Sequence, residues 1–244
     1  MPVTSEPAPA SRVSIDVGAA AIMVPRFPGS GSERFLPLPD IAVTVGDRFF
    51  ASFADGIGAH LYHRNGLDFG ILARPDLGRR ASDTAHYLHG LAKVDFAPEL
   101  GGFAQVRLTG PLSLRAEVRK AVGGHDGVVA DLALSWAKPV SKRLYLVISP
   151  NLRIADARFM RAYFGVTPGA AAASGLAAYQ PGAGLERAGL RVVAVRQLSP
   201  RISLSVSAVY DRLLGDAAHS PIVRVPTGSV DQPGAFVSLR YHFR

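Results

Sequence analysis

The sequence predicts an all-β fold: a transmembrane, antiparallel, up-and-down β-barrel of about twelve strands, with short periplasmic turns and longer extracellular loops. Three observations carry this. Apolar and polar residues alternate with period two in segment after segment, short connections alternate with long ones, and the last strand ends in aromatics on its apolar face.

The alternation is plainest in Ile202 to Tyr210, where Ile202, Leu204 and Val206 oppose Ser203, Ser205 and Ser207. Leu112, Leu114, Ala116 and Val118 likewise oppose Ser113, Arg115, Glu117 and Arg119. Ala130, Leu132, Leu134 and Trp136 oppose Asp131, Ala133 and Ser135, and Leu144, Leu146, Ile148, Leu152 and Ile154 oppose Ser149, Asn151 and Arg153. Helical spacing is almost absent, apart from an Ala-rich stretch at 169–178 that suits a helical turn in a loop. Strands are expected near 12–24, 35–45, 48–54, 57–63, 67–74, 94–108, 112–122, 128–139, 144–159, 185–198, 202–213 and 234–243. If 48–63 were one strand bulged at Asp55-Gly56, ten strands would be the alternative. Most segments reach the roughly 9–11 residues that a tilted strand needs to cross a membrane.

Short turns fall at Val45-Gly46-Asp47, Arg64-Asn65-Gly66, Thr109-Gly110-Pro111, Ser141-Lys142-Arg143 and Ser199-Pro200-Arg201. Longer polar or Gly/Pro-rich connections fall near 26–34, 75–92, 123–127, 160–184 and 215–233. Short turns at one end and long loops at the other are the layout of an outer-membrane barrel, and both termini then lie at the short-turn end. The polar faces, which would line the lumen, carry Arg107, Arg115, Glu117, Arg119, Asp131 and Arg153 in mid-strand. Phe49, Tyr62, Trp136, Tyr145, Tyr163 and Tyr210 stand near strand ends, as aromatic girdles require. The last strand places Tyr241 and Phe243 on its apolar face, the form of a C-terminal assembly signal, with Arg244 following.

Composition agrees. The 244 residues include no Cys, which excludes disulfides and thiolate metal sites, and carry a net charge of +8. That charge suits contact with outer-membrane lipid and lipopolysaccharide; it is spread over many strands and forms no nucleic-acid-binding patch, so no nucleic acid partner is expected. No run of eighteen apolar residues offers a transmembrane helix. Residues 1–11, MPVTSEPAPAS, lack the apolar core of a signal peptide. They read as a flexible leader to a barrel over 12–244, the export signal having been removed.

Several blocks resemble the MipA/OmpV (MltA-interacting) outer-membrane proteins, from about residue 16 onward: VPRFPGS (24–30), LPLPDIAVTVGDRFFAS (36–52), YFGVTPGAAAASGLAAY (163–179) and LLGDAAHSPIV (213–223). The resemblance implies a non-enzymatic barrel acting as scaffold or interaction protein. It also implies a link to murein transglycosylase and synthase complexes, since one member is described as bridging such enzymes. Other members are discussed as adhesins, porins or antibiotic-linked proteins, so a small porin-like or ligand-binding barrel with an Arg-containing lumen is the alternative. The pattern specifies no oligomeric state.

The block at 213–223 holds Asp216, His219 and Ser220 close together. A hydrolytic triad needs convergence from separated positions, so the expectation is an architectural loop and no catalytic residues. Gly215 bends the chain, Asp216 bonds nearby amides or pairs with a lumen Arg, and Ser220-Pro221 begins an extended return. Asp216→Ala is then expected to loosen the loop, with His219→Ala and Ser220→Ala nearly silent. His60 and His63, three apart on one strand, should face opposite sides, and His86 and His89 lie in a loop, so neither a metal site nor a cofactor is expected.

Overall fold

A computed structural model describes residues 13–53, 55–84, 88 and 90–243. The leader at 1–11 and the His86/His89 pair lie outside the described residues. Twelve strands close into an all-antiparallel barrel in which each strand pairs with its sequence neighbours. They are β1 (Val13–Pro25), β2 (Glu33–Val45), β3 (Phe49–Ser52), β4 (Gly56–Arg64), β5 (Leu67–Asp76), β6 (Ala97–Arg107), β7 (Leu112–Ala121), β8 (Val128–Ser141), β9 (Leu144–Ala155), β10 (Gly184–Ser199), β11 (Ile202–Leu213) and β12 (Asp231–Phe243). Residues 48–63 form two strands and not one, so the count is twelve and not ten. β12 closes the cylinder on β1 in the register Ile15↔Phe243 to Met23↔Ala235.

Register sorts the side chains into two faces. One runs through Ile15, Phe243, Ile202, Leu190, Ile148, Trp136, Leu114 and Val106, and points outward. Phe35 and Ile57 on this face are 67% and 68% exposed, an arrangement stable only with lipid as the surroundings. Phe49, Tyr62, Trp136 and Tyr210 do stand outward near strand ends. Tyr145 pairs with the inward-facing Val195, so it faces the lumen and belongs to no girdle. Tyr163 is in no strand at all.

The hydrophobic core lies in the loops at the outer mouth. The strand expected to reach residue 159 stops at Ala155, because the Asp156 carboxylate accepts the Phe159 amide at 2.9 Å and caps a helix, α1 (Ala157–Phe164). Phe159, Met160, Tyr163 and Phe164 make its buried stripe. They pack on Val129, Ala155 and Leu213 of the barrel wall and on Val94, Ala217 and Val223 of other loops. The Ala-rich stretch forms α2 (Pro168–Ser174), capped by Thr167. Its Ala170 joins Phe27, Leu88, Leu91, Val166 and Ile222 in a second cluster. The last long connection contributes α3 (Gly215–His219) and a 3-10 turn at Pro221–Arg224. The residue after Ser220 therefore turns back into the cap where an extended return was expected.

Candidate functional site

The inner wall from β5 to β11 carries a continuous belt of charge. Arg119 is buried and donates to Glu99 at 2.9 Å, Glu117 at 2.6 Å and Asp131 at 2.6 Å. Glu117 also accepts from Arg115 at 2.7 Å and from Arg74 at 3.1 Å. Asp131 takes a two-pronged bond from Arg153 at 2.7 and 3.0 Å. Beyond it, Arg153 lies 3.9 Å from Glu186, and Arg187 reaches both Glu186 and Asp211. Five of the six residues expected to line the lumen are thus brought together. The sixth, Arg107, shares the inward register through Ser113 but stands exposed at the short-turn end, with no ion pair among the described residues.

Five guanidinium groups in this arc face five carboxylates, so their charges cancel. Such a belt fixes the spacing of neighbouring strands and fills the wall with mutually satisfied groups; its net stabilisation is small, because desolvation offsets attraction. Period-two reading placed five of its ten members, Arg115, Glu117, Arg119, Asp131 and Arg153, on one face. It could not pair them, because pairing depends on register between strands.

The cap is tied to this wall by groups that sequence reasoning missed. Arg79 is 2% exposed, and its guanidinium donates to the carbonyls of Ala162, Tyr163 and Ala92 at 2.8–3.0 Å while lying over the Phe27 ring. It closes the C-terminal end of α1, where a cation is favoured. Burial pulls it down to about 10. The Tyr163 hydroxyl donates to Asp76 at 2.5 Å, and burial first, then that carboxylate, pushes it well above the ordinary tyrosine range. His125 is buried between Phe159 and Tyr163; its Nδ1 accepts the Gly127 amide, leaving Nε2 to donate to Glu99 at 3.2 Å. Arg79 and His125 lie in no recognisable motif, and in polar loops they look like solvent-facing residues until the loops fold inward; Tyr163 opens the block at 163–179 but was expected in a girdle.

Of the block at 213–223, Gly215 adopts a positive φ of 52° and starts α3. Among the described residues Asp216 pairs with no lumen Arg; its carboxylate accepts the Gly182 amide at 2.8 Å, and its carbonyl accepts the Tyr179 hydroxyl at 2.9 Å. Ser220 is fully buried, donates to the Phe164 carbonyl at 2.6 Å and accepts the Ile222 amide at 3.2 Å. Pro221 opens the 3-10 turn. His219 is exposed at the end of α3.

Between belt and cap lies a cavity of about 600 Å³, lined among others by Arg34, Tyr163, Arg187, Arg191, Gln232 and Arg240. At the opposite, periplasmic end, the short turns and adjoining strand ends expose Arg48, Arg64, Arg107, Lys142, Arg143 and Arg201, against Asp47 alone among the acids of the five turns.

The sequence pattern of the family described as MltA-interacting protein MipA matches residues 17–243. No curated protein matches the chain. Among solved structures the chain is similar to the NanC porin, at 7% identity and a TM-score of 0.42 over 94% of this chain and 99% of that one. It is similar to the outer membrane channel DcaP of Acinetobacter baumannii, at 7% and 0.42 over 95% and 96%. An outer membrane channel from Pseudomonas putida F1 aligns at 10% and 0.44 over 100% and 99%.

Proposed function

The chain belongs to the MltA-interacting protein MipA family and is a bacterial outer-membrane β-barrel, and from that footing we propose that it is a non-enzymatic scaffold that holds murein-processing enzymes at the inner surface of the outer membrane. The observation that carries this is the basic periplasmic rim. Exposed Arg48, Arg64, Arg107, Lys142, Arg143 and Arg201 present a ring of cations on short turns and the strand ends beside them, facing the wall. Such a ring steers and orients an acidic partner, each charge adding little alone and the set adding a salt-sensitive field. The family description supplies the partner class, a murein lytic transglycosylase. The apolar outward face supports contact with outer-membrane lipid, and the net positive charge supports contact with lipopolysaccharide.

The interior supports a role outside catalysis. Ser220 and Asp216 are each committed to backbone partners, and the belt carboxylates are committed to arginines. The test is a pull-down of a purified murein transglycosylase on the detergent-solubilised chain at low and high salt. Capture that fades with salt and is lost in the double variant Lys142→Glu/Arg143→Glu supports the scaffold; capture by neither protein at either salt sinks it. The cavity of about 600 Å³ favours a second reading, a small ligand-binding barrel. Single-channel steps in a planar bilayer, abolished by an anionic sugar, would establish that reading in place of the first.

A further inference from the structure

β4 does not keep the alternation that its sequence suggests. His60 pairs with Gly70, but Tyr62 pairs with Phe69, so Leu61 is an extra residue that forms a β-bulge. Leu61 and Tyr62, 64% and 37% exposed, both project outward. His60 and His63 therefore both turn inward, contrary to the opposite faces expected from their spacing. A bulge is a device for re-aiming a side chain at the cost of ladder pairing.

The two re-aimed imidazoles converge on Asp68 of β5. His60 Nδ1 lies 2.7 Å from Asp68 Oδ1, and His63 Nδ1 lies 3.5 Å from Asp68 Oδ2. One ligand atom from each of the three residues falls within 4.8 Å of the others. Zinc bonds of about 2.0–2.2 Å in a tetrahedron place ligand atoms about 3.3–3.6 Å apart, so shifts of no more than about 1.5 Å bring three atoms now within 4.8 Å of one another around an ion. The His60 ring is held between Phe50 and Phe103, with centroids at 5.1 and 5.5 Å, and the His63 ring packs edge-on against it at 5.7 Å. Rings fixed in this way are oriented before an ion arrives. The His63 side chain is more than half exposed, which leaves the fourth position open to water.

We propose that His60, His63 and Asp68 form a binding site for a divalent transition-metal cation of the zinc class at the periplasmic end of the lumen. Two imidazoles and one carboxylate suit zinc over magnesium or calcium, which prefer oxygen ligands throughout. The location gives the ion structural work. β3 is the shortest strand and pairs with β2 and β4 through only four residues on each side. His60 reaches this seam through Phe50 of β3, so an ion bridging β4 and β5 would stiffen the weakest part of the wall. The site does not depend on the scaffold reading.

The test titrates Zn²⁺ into the full-length, untagged chain in detergent micelles, with Mg²⁺ as control, and follows both binding and the unfolding temperature. Saturable Zn²⁺ binding that raises the unfolding temperature is expected. His63→Gln and Asp68→Asn should each weaken it by at least about ten-fold. His63→Gln, at an exposed position, should keep the folded, heat-modifiable gel mobility. His219→Gln, at the opposite end of the barrel, should bind as the parent does. Zinc binding no tighter than magnesium, or binding unchanged in both His63→Gln and Asp68→Asn, would overturn the assignment.

Discussion

Ser220 shows how a residue's part is set by burial more than by its type. In the sequence it stands beside Asp216 and His219 and reads as a loop serine whose loss costs nothing. In the fold it is fully buried and joins two loops, donating to Phe164 at the end of α1 and accepting from Ile222. Ser220→Ala leaves a buried carbonyl and a buried amide short of a partner, at about 1–3 kcal/mol. Asp216→Ala removes one bond to Gly182 from an exposed site, at about 1 kcal/mol. The expected order of damage to the cap is therefore Ser220→Ala, then Asp216→Ala, with His219→Ala nearly silent. Limited proteolysis of intact cells reads this order as the rate of nicking within 156–183 and 214–230. Equal rates for Ser220→Ala and His219→Ala would show that the buried bonds do not hold the cap.

The strands were legible because lipid on one side and a charged lumen on the other impose strict alternation on each of them. Leu132 and Ser135 illustrate it: Leu132 lies in the outward register with Leu152, and Ser135 faces inward, its hydroxyl 2.8 Å from that of Ser149. Leu132→Arg places a charge in lipid at about 2–4 kcal/mol near the midplane, whereas Ser135→Arg places it in the lumen and should cost less. Refolding titrations into vesicles compare the two, and equal losses would contradict the faces. What alternation hid were its interruptions. α1 was split between the expected end of β9 at 159 and the loop expected from 160, because Phe159, Met160, Tyr163 and Phe164 make a helical stripe only two turns long, and the capping role of Asp156 was the one local signal. The bulge at Leu61 left no signal at all; it is visible only against the register of β5. The charge belt was half legible: Arg115, Glu117, Arg119, Asp131 and Arg153 could be placed on the inner face, but not their bonds, nor the other five members, of which Glu186 and Arg187 share a face only through a bulge in β10.

Closure is a property of the whole chain, and β12 bears it, because it pairs with β11 on one edge and with β1, more than two hundred residues earlier, on the other. The seam with β1 is reinforced inside the lumen. Gly18 of β1 stands in register with both Arg240 and Asp40, and a Cβ there would lie 2.1 Å from the Leu239 carbonyl oxygen. With no side chain in the way, Asp40 of β2 reaches across β1 to Arg240 of β12, accepting from it at 2.5 and 2.9 Å and also accepting the Ser238 hydroxyl. His242 meets Asp16 at 2.8 Å one step nearer the periplasm. Outside, the Tyr241 and Phe243 rings pack 4.8 Å apart. Deleting residues 231–243 exposes the edges of β1 and β11 within the hydrocarbon, where each unpaired backbone group costs several kcal/mol. β1 and β11 run in the same direction, so the eleven remaining strands cannot close through the antiparallel ladder that every other seam of the wall uses. The truncated chain should therefore fail to insert and run as an unfolded band whether heated or not. Phe243→Ala removes only an outward ring and should insert more slowly into a barrel of normal heat-modifiable mobility. A truncated chain that migrated as a folded barrel would show that closure does not depend on β12.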